Sequence, residues 1–215
     1  MHDPRGYWDA RYHFLERRKA PPNPFCVRAL AWSQELWTRI ERDLHILDLG
    51  AGDGRDSRAF AATGADVVAL DVSAEGLARL EGIPRVSRVV ADLRLPLPFQ
   101  AATFDAVYSH FVLSCDFQIL EVEQILLELC RILRPGGEIW LAVRSTDDPT
   151  YRRGPQVGPG HRRFGESGLH FFSLRSLRRM LEPVGILELN SRHLDIDGEA
   201  YGVIEARAVK TLVHP

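Results

Sequence analysis

The sequence predicts a doubly wound α/β fold, in which helices cover both faces of a parallel sheet. Apolar runs of strand length alternate with segments of helical period, which is typical of βαβ units. The chain has 215 residues, of which 45% are hydrophobic. That length and composition suffice for one sizeable core, so we expect a single domain over residues 1–215.

The predicted strands begin near Leu44, Asp66, Arg88, Phe104 and Glu138. Between them, helical periods cover residues 55–63, 74–81 and 117–133. In the third helix, four side chains are expected to share one face: Leu120, Leu127, Cys130 and Leu133. The Pro-Gly-Gly segment at 135–137 is expected to end this helix and allow the next strand to begin.

The remainder of the chain divides into a cover, a lid and a terminal unit. Residues 1–43 precede the first strand and are expected to form an N-terminal helical cover on the core, 44–143. Residues 144–170 are rich in Pro, Gly and Arg without a sustained period, which predicts a lid or insertion. Within 171–215, regular structure is expected as a helix at 174–182 and strands at 186–193 and 202–209.

Composition disfavours several classes of function. The net charge is −2, and the pI near 6.4 argues against general polyanion binding. The three cysteines are dispersed and form no Cys/His cluster, so we expect neither a disulfide framework nor a metal site. The N-terminus is charged and aromatic and no apolar run is long enough to cross a membrane, which predicts a cytoplasmic protein.

A glycine-rich turn follows the first strand in the stretch HILDLGAGDGRDSRAF, residues 45–60. A strand that turns sharply into a helix leaves unpaired backbone N–H groups, and glycines let a ligand approach them closely. A nicotinamide dinucleotide is a poor match, because the third small position of its motif holds Arg55. Asp53 also places a negative charge where a pyrophosphate would lie.

The stretch ILDLGAGDG resembles the first motif of the class I S-adenosylmethionine-dependent methyltransferases, with Asp48 as its acidic residue. Three further segments resemble later motifs of that family: VVALDVS, ADLRLPLPFQAATFDAVYSHFVL and CRILRPGGEIWL. The resemblance implies a Rossmann-like, seven-stranded sheet of order 3-2-1-4-5-7-6. It also implies S-adenosylmethionine as cofactor and S-adenosylhomocysteine as product.

The resemblance further assigns roles to individual residues. Asp71 would hold the ribose, Asp92 and Leu93 the adenine, and Asp48 the amino-acid end. Neighbouring cofactor contacts are expected from Gly50, Ala51, Gly52, Val72 and Ser109. The order of the strands independently supports this, since Asp48, Asp71 and Asp92 should meet at the carboxyl edge of the sheet, where such folds bind ligands. Each aspartate could alternatively cap a helix or open a loop.

The chain ends are loosely similar to those of the tellurite-resistance and thiopurine methyltransferase groups. The similarity lies in YWDARY at 7–12 and in HFFSLRSLRRMLEPVG at 170–185. It implies that Tyr7 and Tyr12 fold over the cofactor. An equally good interpretation is an aromatic staple that packs a helix onto the sheet.

The acceptor side gives fewer signals. His110 follows the fourth strand, where this fold places groups beside the transferring methyl, so it is the candidate general base or substrate-orienting residue. His161 and His170 flank the lid and could swing toward the site. The arginines of the lid, among them Arg144, Arg152 and Arg153, suit an anionic acceptor, although they could equally be solvated or paired with acids.

These observations predict an enzyme that methylates a small molecule, acting as a monomer or homodimer. The alternatives are an RNA or protein methyltransferase, a non-catalytic S-adenosylmethionine-binding module and a nicotinamide-dependent oxidoreductase. Nucleic acid is disfavoured as a partner, because the chain has neither a basic tail nor an added RNA-binding segment. The sequence does not identify the methylated atom or the acceptor.

Overall fold

A seven-stranded sheet organises the protein. The computed structural model describes residues 4–14, 21–182, 184–196 and 199–211, so the predicted outer bounds, 1 and 215, lie outside the described residues. The strands of this sheet are β1 (His45–Leu49), β2 (Asp66–Asp71), β3 (Val86–Val90), β4 (Phe104–His110), β5 (Leu133–Arg144), β9 (Gly185–Ile196) and β10 (Glu199–Val209). Their order, β3-β2-β1-β4-β5-β10-β9, confirms the predicted topology.

Six α-helices are described. They are α1 (Pro4–Phe14), α2 (Pro24–Ile40), α3 (Arg55–Ala62), α4 (Ala74–Ala78), α5 (Ile119–Ile132) and α6 (Leu174–Leu181). The first five strands pair in parallel, and β10 pairs antiparallel with both β5 and β9. The carboxyl ends of β1, β2, β3 and β4 therefore lie along one edge of the sheet.

The two faces of the sheet carry different cores, as a doubly wound fold requires. Successive residues of β5 point to opposite faces: Trp140 packs with Phe25 and Phe60 on the face that α2 and α3 cover. Leu141 packs with Leu129 and Leu177 on the face that α5 and α6 cover. Both faces are buried, which explains why the parallel strands are continuous apolar runs in the sequence.

The buried face of α5 differs from the prediction. Of the four predicted residues, Leu120 and Leu127 are 66% and 63% exposed and face solvent, whereas Leu133 is buried and Cys130 packs against the core. The helix instead buries Val122, Ile125, Leu126, Leu129 and Ile132. This second set is larger and shares one stripe, so burying it removes more apolar surface from water.

The Arg-rich segment contains regular structure that its composition does not predict. It forms a small antiparallel sheet of β6 (Gln156–Gly158), β7 (His161–Phe164) and β8 (Ser167–His170). These strands have three or four residues, too few for a visible period. In the part of the chain described here, no helix is long and apolar enough to cross a membrane.

Candidate functional site

The glycine turn after β1 adopts the open conformation that its sequence predicts. Gly50, Gly52 and Gly54 have φ angles of 72°, 58° and 76°, in the left-handed region that favours glycine. The backbone N–H groups of Gly50 and Ala51 both donate to the carbonyl oxygen of Leu70, at 2.7 and 2.9 Å. A Cβ at Gly50 would collide with Val112, so the turn requires glycine for both conformation and space.

Asp71, the last residue of β2, holds the turn from the other side. Its carboxylate accepts hydrogen bonds from the N–H of Gly52 at 2.8 Å and from the N–H of Ser73 at 2.9 Å. Burial raises the pKa of Asp71, and these backbone hydrogen bonds oppose that rise. Asp71 therefore ties the glycine turn to the start of α4.

Two neighbouring cavities lie at this edge of the sheet. The main cavity, about 240 Å³, is lined by eight of the predicted residues: Tyr7, Tyr12, Gly50, Asp71, Val72, Asp92, Leu93 and His110. The turn cavity, about 210 Å³, is lined by Tyr12, Asp48, Gly50, Ala51, Gly52, Asp53, Arg55, Asp56, Tyr108 and His110. Tyr12, Gly50 and His110 border both cavities. The structure thus brings together the residues that the sequence predicts as cofactor contacts, except for Ser109, which lines neither.

Asp48 lies in a negatively charged, buried environment beside the turn. Its carboxylate accepts a hydrogen bond from the Ser57 hydroxyl at 2.5 Å. Burial, followed by the neighbouring charge of Asp56, raises the pKa of Asp48 to about 8. Asp56 itself accepts hydrogen bonds from the side chains of Asn23 and Tyr108. This cluster would favour a positively charged group in the turn cavity.

Ser109 and His110 end β4, and His110 borders both cavities. The Nε2 of His110 and the hydroxyl of Ser109 are buried and find no hydrogen-bond partner among the described residues. Burial, followed by the charges of Arg55 and Arg144, lowers the pKa of His110 to about 3. A neutral imidazole of such low basicity is better suited to orienting a ligand than to removing its proton.

Helix α1 covers the site. The Asp9 carboxylate accepts hydrogen bonds from the Ser73 hydroxyl at 2.6 Å and from the N–H of Glu75 at 3.2 Å. Tyr12 lies so close to the turn that a Cβ at Gly52 would collide with its hydroxyl. Burial and the nearby Asp71 raise the pKa of Tyr12, so its hydroxyl stays protonated at neutral pH.

The predicted lid residues do not reach the cavities. Arg144 pairs with Asp148 at 3.1 Å, and its guanidinium lies 4.7 Å from the Tyr201 ring centroid. Arg152 and Arg153 are exposed. The two histidines, His161 and His170, are buried beneath the small sheet. None of the five is among the residues that line the two cavities.

Two charged residues of the main cavity were not predicted from the sequence. Arg94 lines the main cavity and contacts Asp92 at 3.4 Å and Glu121 at 3.2 Å. Asp116 lines it as well and accepts a hydrogen bond from His161. Asp116 lies in the segment after β4, six residues beyond the candidate catalytic residue His110. A carboxylate in that segment is the sequence signal that could have identified Asp116 as a site residue. In the described ranges, no cluster of metal-ligating side chains occurs.

Comparisons with known proteins agree with this geometry. Residues 47–141 match a family model described as a methyltransferase domain. The chain is 46% identical over 115 residues to the demethylmenaquinone methyltransferase of Clavibacter sepedonicus, a match that covers 51% of this chain and 45% of that one. It is 34% identical over 108 residues to the malonyl-[acyl-carrier protein] O-methyltransferase of Enterobacter lignolyticus, covering 49% and 41%. The aligned region therefore spans less than half the length of these relatives.

Solved structures show the same fold. A methyltransferase from Methanosarcina mazei superposes with a TM-score of 0.73 at 19% identity, covering 90% of this chain and all of that one. A 1,6-didemethyltoxoflavin-N1-methyltransferase from Burkholderia thailandensis, solved with S-adenosylhomocysteine, gives a TM-score of 0.65 at 21% identity over 88% and 79%. Residues 47–141 therefore match a methyltransferase domain, and the chain has the fold of the class I methyltransferases, as the sequence predicts.

Proposed function

We propose that the protein transfers a methyl group from S-adenosylmethionine to a small-molecule acceptor. The observation that carries this proposal is that the glycine turn borders two neighbouring cavities, with Gly50 lining both. Asp71, Asp92 and Leu93 line one of them and Asp48 lines the other. An extended molecule with an adenosine end and a cationic amino-acid end matches this arrangement.

The chemistry of the lining residues fits the cofactor. The Asp71 carboxylate keeps free lone pairs beside its two backbone hydrogen bonds and can accept from ribose hydroxyls. Asp92 can accept from an adenine amine while Leu93 packs on the ring. Asp48 and Asp56 would attract the ammonium group at the other end. The unpartnered Nε2 of His110, which borders both cavities, is a buried polar atom that a bound ligand could satisfy.

S-adenosylmethionine supplies a methyl group already activated by its sulfonium charge, so the protein's main task is alignment. Phe111, Val112 and Phe117 give the main cavity apolar walls that would exclude water. His110, at the junction of the cavities, can orient an acceptor there. Positioning of this kind supplies a large part of the rate enhancement in such displacements.

Features of the main cavity support a small acceptor. The cavity is about 240 Å³, and α1 covers it with the side chains of Tyr7, Trp8 and Tyr12. Among the described residues that line the main cavity, Arg94 is the single Lys or Arg. Its guanidinium already contacts the carboxylates of Asp92 and Glu121. We therefore favour a mostly apolar acceptor over the anionic one that the lid arginines suggested.

The first test is a calorimetric titration with S-adenosylmethionine, S-adenosylhomocysteine and NADH. We expect micromolar binding of the two sulfur nucleosides and none of NADH. Replacing Asp71 with Ala should raise the dissociation constant at least about tenfold, because a charged hydrogen bond contributes ~1.5–3 kcal/mol. Asp66→Ala is the matched control, since Asp66 is half-exposed at the opposite end of the same strand.

The same titration separates the alternatives. Binding of NADH in place of the sulfur nucleosides would favour an oxidoreductase. Nucleoside binding without methyl transfer to any of a panel of phenols, thiols, amines and carboxylic acids would favour a non-catalytic module. Equal affinities for wild type and Asp71→Ala would contradict the ribose role of Asp71.

A further inference from the structure

The small sheet β6-β7-β8 forms part of the wall of the main cavity. Ser167, Gly168 and Leu169 of β8 line it on the side where Asp116 and Phe117 follow β4. Asp71 and Asp92, which line the cavity as well, are assigned to the cofactor by the proposed function. Asp116 is therefore a carboxylate on the cavity wall that the cofactor does not explain.

A buried histidine fixes the position of Asp116. The Nε2 of His161 lies 2.8 Å from Oδ1 of Asp116, and Nδ1 lies 3.4 Å from the side-chain nitrogen of Gln118. The amide of Gln118 donates, so Nδ1 accepts, and the proton of a neutral imidazole is on Nε2, pointing at Asp116. The His161 side chain is 2% exposed, whereas that of Asp116 is 19% exposed.

The surroundings of this pair leave one carboxylate oxygen available. Oδ2 of Asp116 lies 3.6 Å from the Arg163 guanidinium, beyond hydrogen-bond distance. Arg94 donates to the backbone carbonyl of Asp116 at 2.8 Å and leaves the side chain free. A Cβ at Gly168 would collide with both Asp116 and His161, so a glycine at this position makes room for the pair.

On the basis of the proposed function, we propose that Asp116 is a catalytic residue that binds and deprotonates the hydroxyl group of an apolar phenol or enol, and that His161 is its positioning residue. The acceptor's O–H proton passes to Oδ2 of Asp116. A lone pair of that acceptor oxygen forms the new bond to the methyl carbon, and the electrons of the breaking carbon–sulfur bond stay on sulfur. A phenol or enol is acidic enough for a carboxylate to assist, whereas a simple alcohol is not.

The test uses two ring probes that differ in one hydrogen-bond donor. Wild-type protein saturated with S-adenosylhomocysteine is titrated with 1-naphthol and, separately, with 1-methoxynaphthalene. We expect 1-naphthol to bind at least about tenfold more tightly, since its hydroxyl can donate to Asp116 and the methyl ether cannot. In Asp116→Asn the preference should fall below about threefold.

The variants of His161 distinguish positioning from general support of the fold. His161→Ala removes the donor and should reduce the preference for 1-naphthol, whereas His161→Gln retains an amide donor and should keep most of it. Glu166→Gln makes the same carboxylate-to-amide change at an exposed position in the turn between β7 and β8 and should match wild type. The affinity of each variant for S-adenosylhomocysteine reports whether it is folded.

Each outcome decides the proposal. Equal binding of the two probes by wild type, or binding of neither, would overturn it while leaving the proposed function intact. A full preference for 1-naphthol in folded Asp116→Asn would overturn it as well. Failure of wild type to bind S-adenosylhomocysteine would overturn the proposed function and this inference with it. If a variant does not fold, the wild-type comparison of the probes decides alone.

Discussion

At the scale of single residues, the site contains buried carboxyl groups that lower the stability of the folded protein. Asp48 is 2% exposed, and its nearest negative neighbour, Asp56, is 8% exposed. Burying two carboxyl groups together favours the protonated form of one of them. Arg55 lies 3.5 Å from Asp56 and offsets part of its charge, whereas the Asp48 carboxyl contacts the Ser57 hydroxyl. We infer that Asp48 and Asp56 serve a ligand with a positive end.

Asp48→Asn is expected to stabilise the free protein, and more so at higher pH. The pKa of Asp48 is raised from 3.8 to about 8, so between these values the unfolded chain has lost the proton that the folded protein keeps. The free energy of unfolding therefore falls as pH rises from about 4 to 8, and Asn removes this dependence. The gain in Tm for the variant should be larger at pH 8 than at pH 5 by roughly 10 °C.

Asp43→Asn serves as the control in that thermal unfolding experiment. Asp43 lies shortly before β1, and its side chain is 62% exposed. Its substitution should shift Tm equally at pH 5 and pH 8. An equal shift in Tm at pH 5 and pH 8 for Asp48→Asn would contradict the prediction, because it would mean that Asp48 is already ionised in the folded protein at pH 5.

The predictability of site residues depended on their place in the fold. Asp71 and Asp92 could be predicted because strand ends are visible in the sequence and parallel strands gather them at one edge. Asp116 and Arg94 could not, because they lie in loops whose course depends on packing. The lid arginines were predicted from charge alone, and Arg144 is instead held by Asp148 and the Tyr201 ring.

At the scale of elements, α1 is the part of the structure that closes the site. It contributes Tyr7, Trp8 and Tyr12 to the main cavity. Its polar contacts include those of Asp9 with Ser73 and Glu75 at the start of α4 and the hydrogen bond from Arg79 to the carbonyl oxygen of Tyr12. Loss of some of these contacts should let the helix open more often, as ligand-covering elements do.

Asp9→Ala is therefore expected to weaken retention of the cofactor. Loss of the two hydrogen bonds should raise the S-adenosylhomocysteine dissociation constant about fivefold, chiefly through a faster dissociation rate. Stopped-flow displacement measures that rate directly. Glu81→Ala, a change at a side chain that is 79% exposed, should leave the rate unchanged, and an unaltered rate in Asp9→Ala would argue against a closing role for α1.

Elements differed in how visible they were in the sequence. The strands of the large sheet were predicted because burial on both faces makes them long apolar runs. The strands β6, β7 and β8 were not, since they are short and polar and are defined by pairing with one another. The helix α5 was predicted in extent, but its apolar residues form two stripes, and packing on the sheet selected the one through Ile125 and Leu129.

At the scale of the whole molecule, the two ends of the sheet have different tasks. The carboxyl end carries the cavities, whereas the amino end carries buried ion pairs. Glu138, near the start of β5, is fully buried and accepts hydrogen bonds from Arg207 at 2.7 Å, Arg39 at 2.7 Å and Trp140 at 2.8 Å. These contacts hold the pKa of Glu138 below its usual value despite burial.

Glu138→Gln should accordingly destabilise the protein without changing the site. The Arg207 side chain is 10% exposed and keeps Glu35 as an ion-pair partner at 2.6 Å. Loss of the charged hydrogen bonds to Glu138 should therefore cost about 1–3 kcal/mol in the free energy of unfolding. Urea unfolding measures that loss. Glu128→Gln, at a pair with Arg131 in which both side chains are about one third exposed, should cost under about 1 kcal/mol. The folded variant should bind S-adenosylhomocysteine with wild-type affinity. A weakened affinity at a residue this far along β5 from the cavities would mean that the two ends of the sheet are coupled.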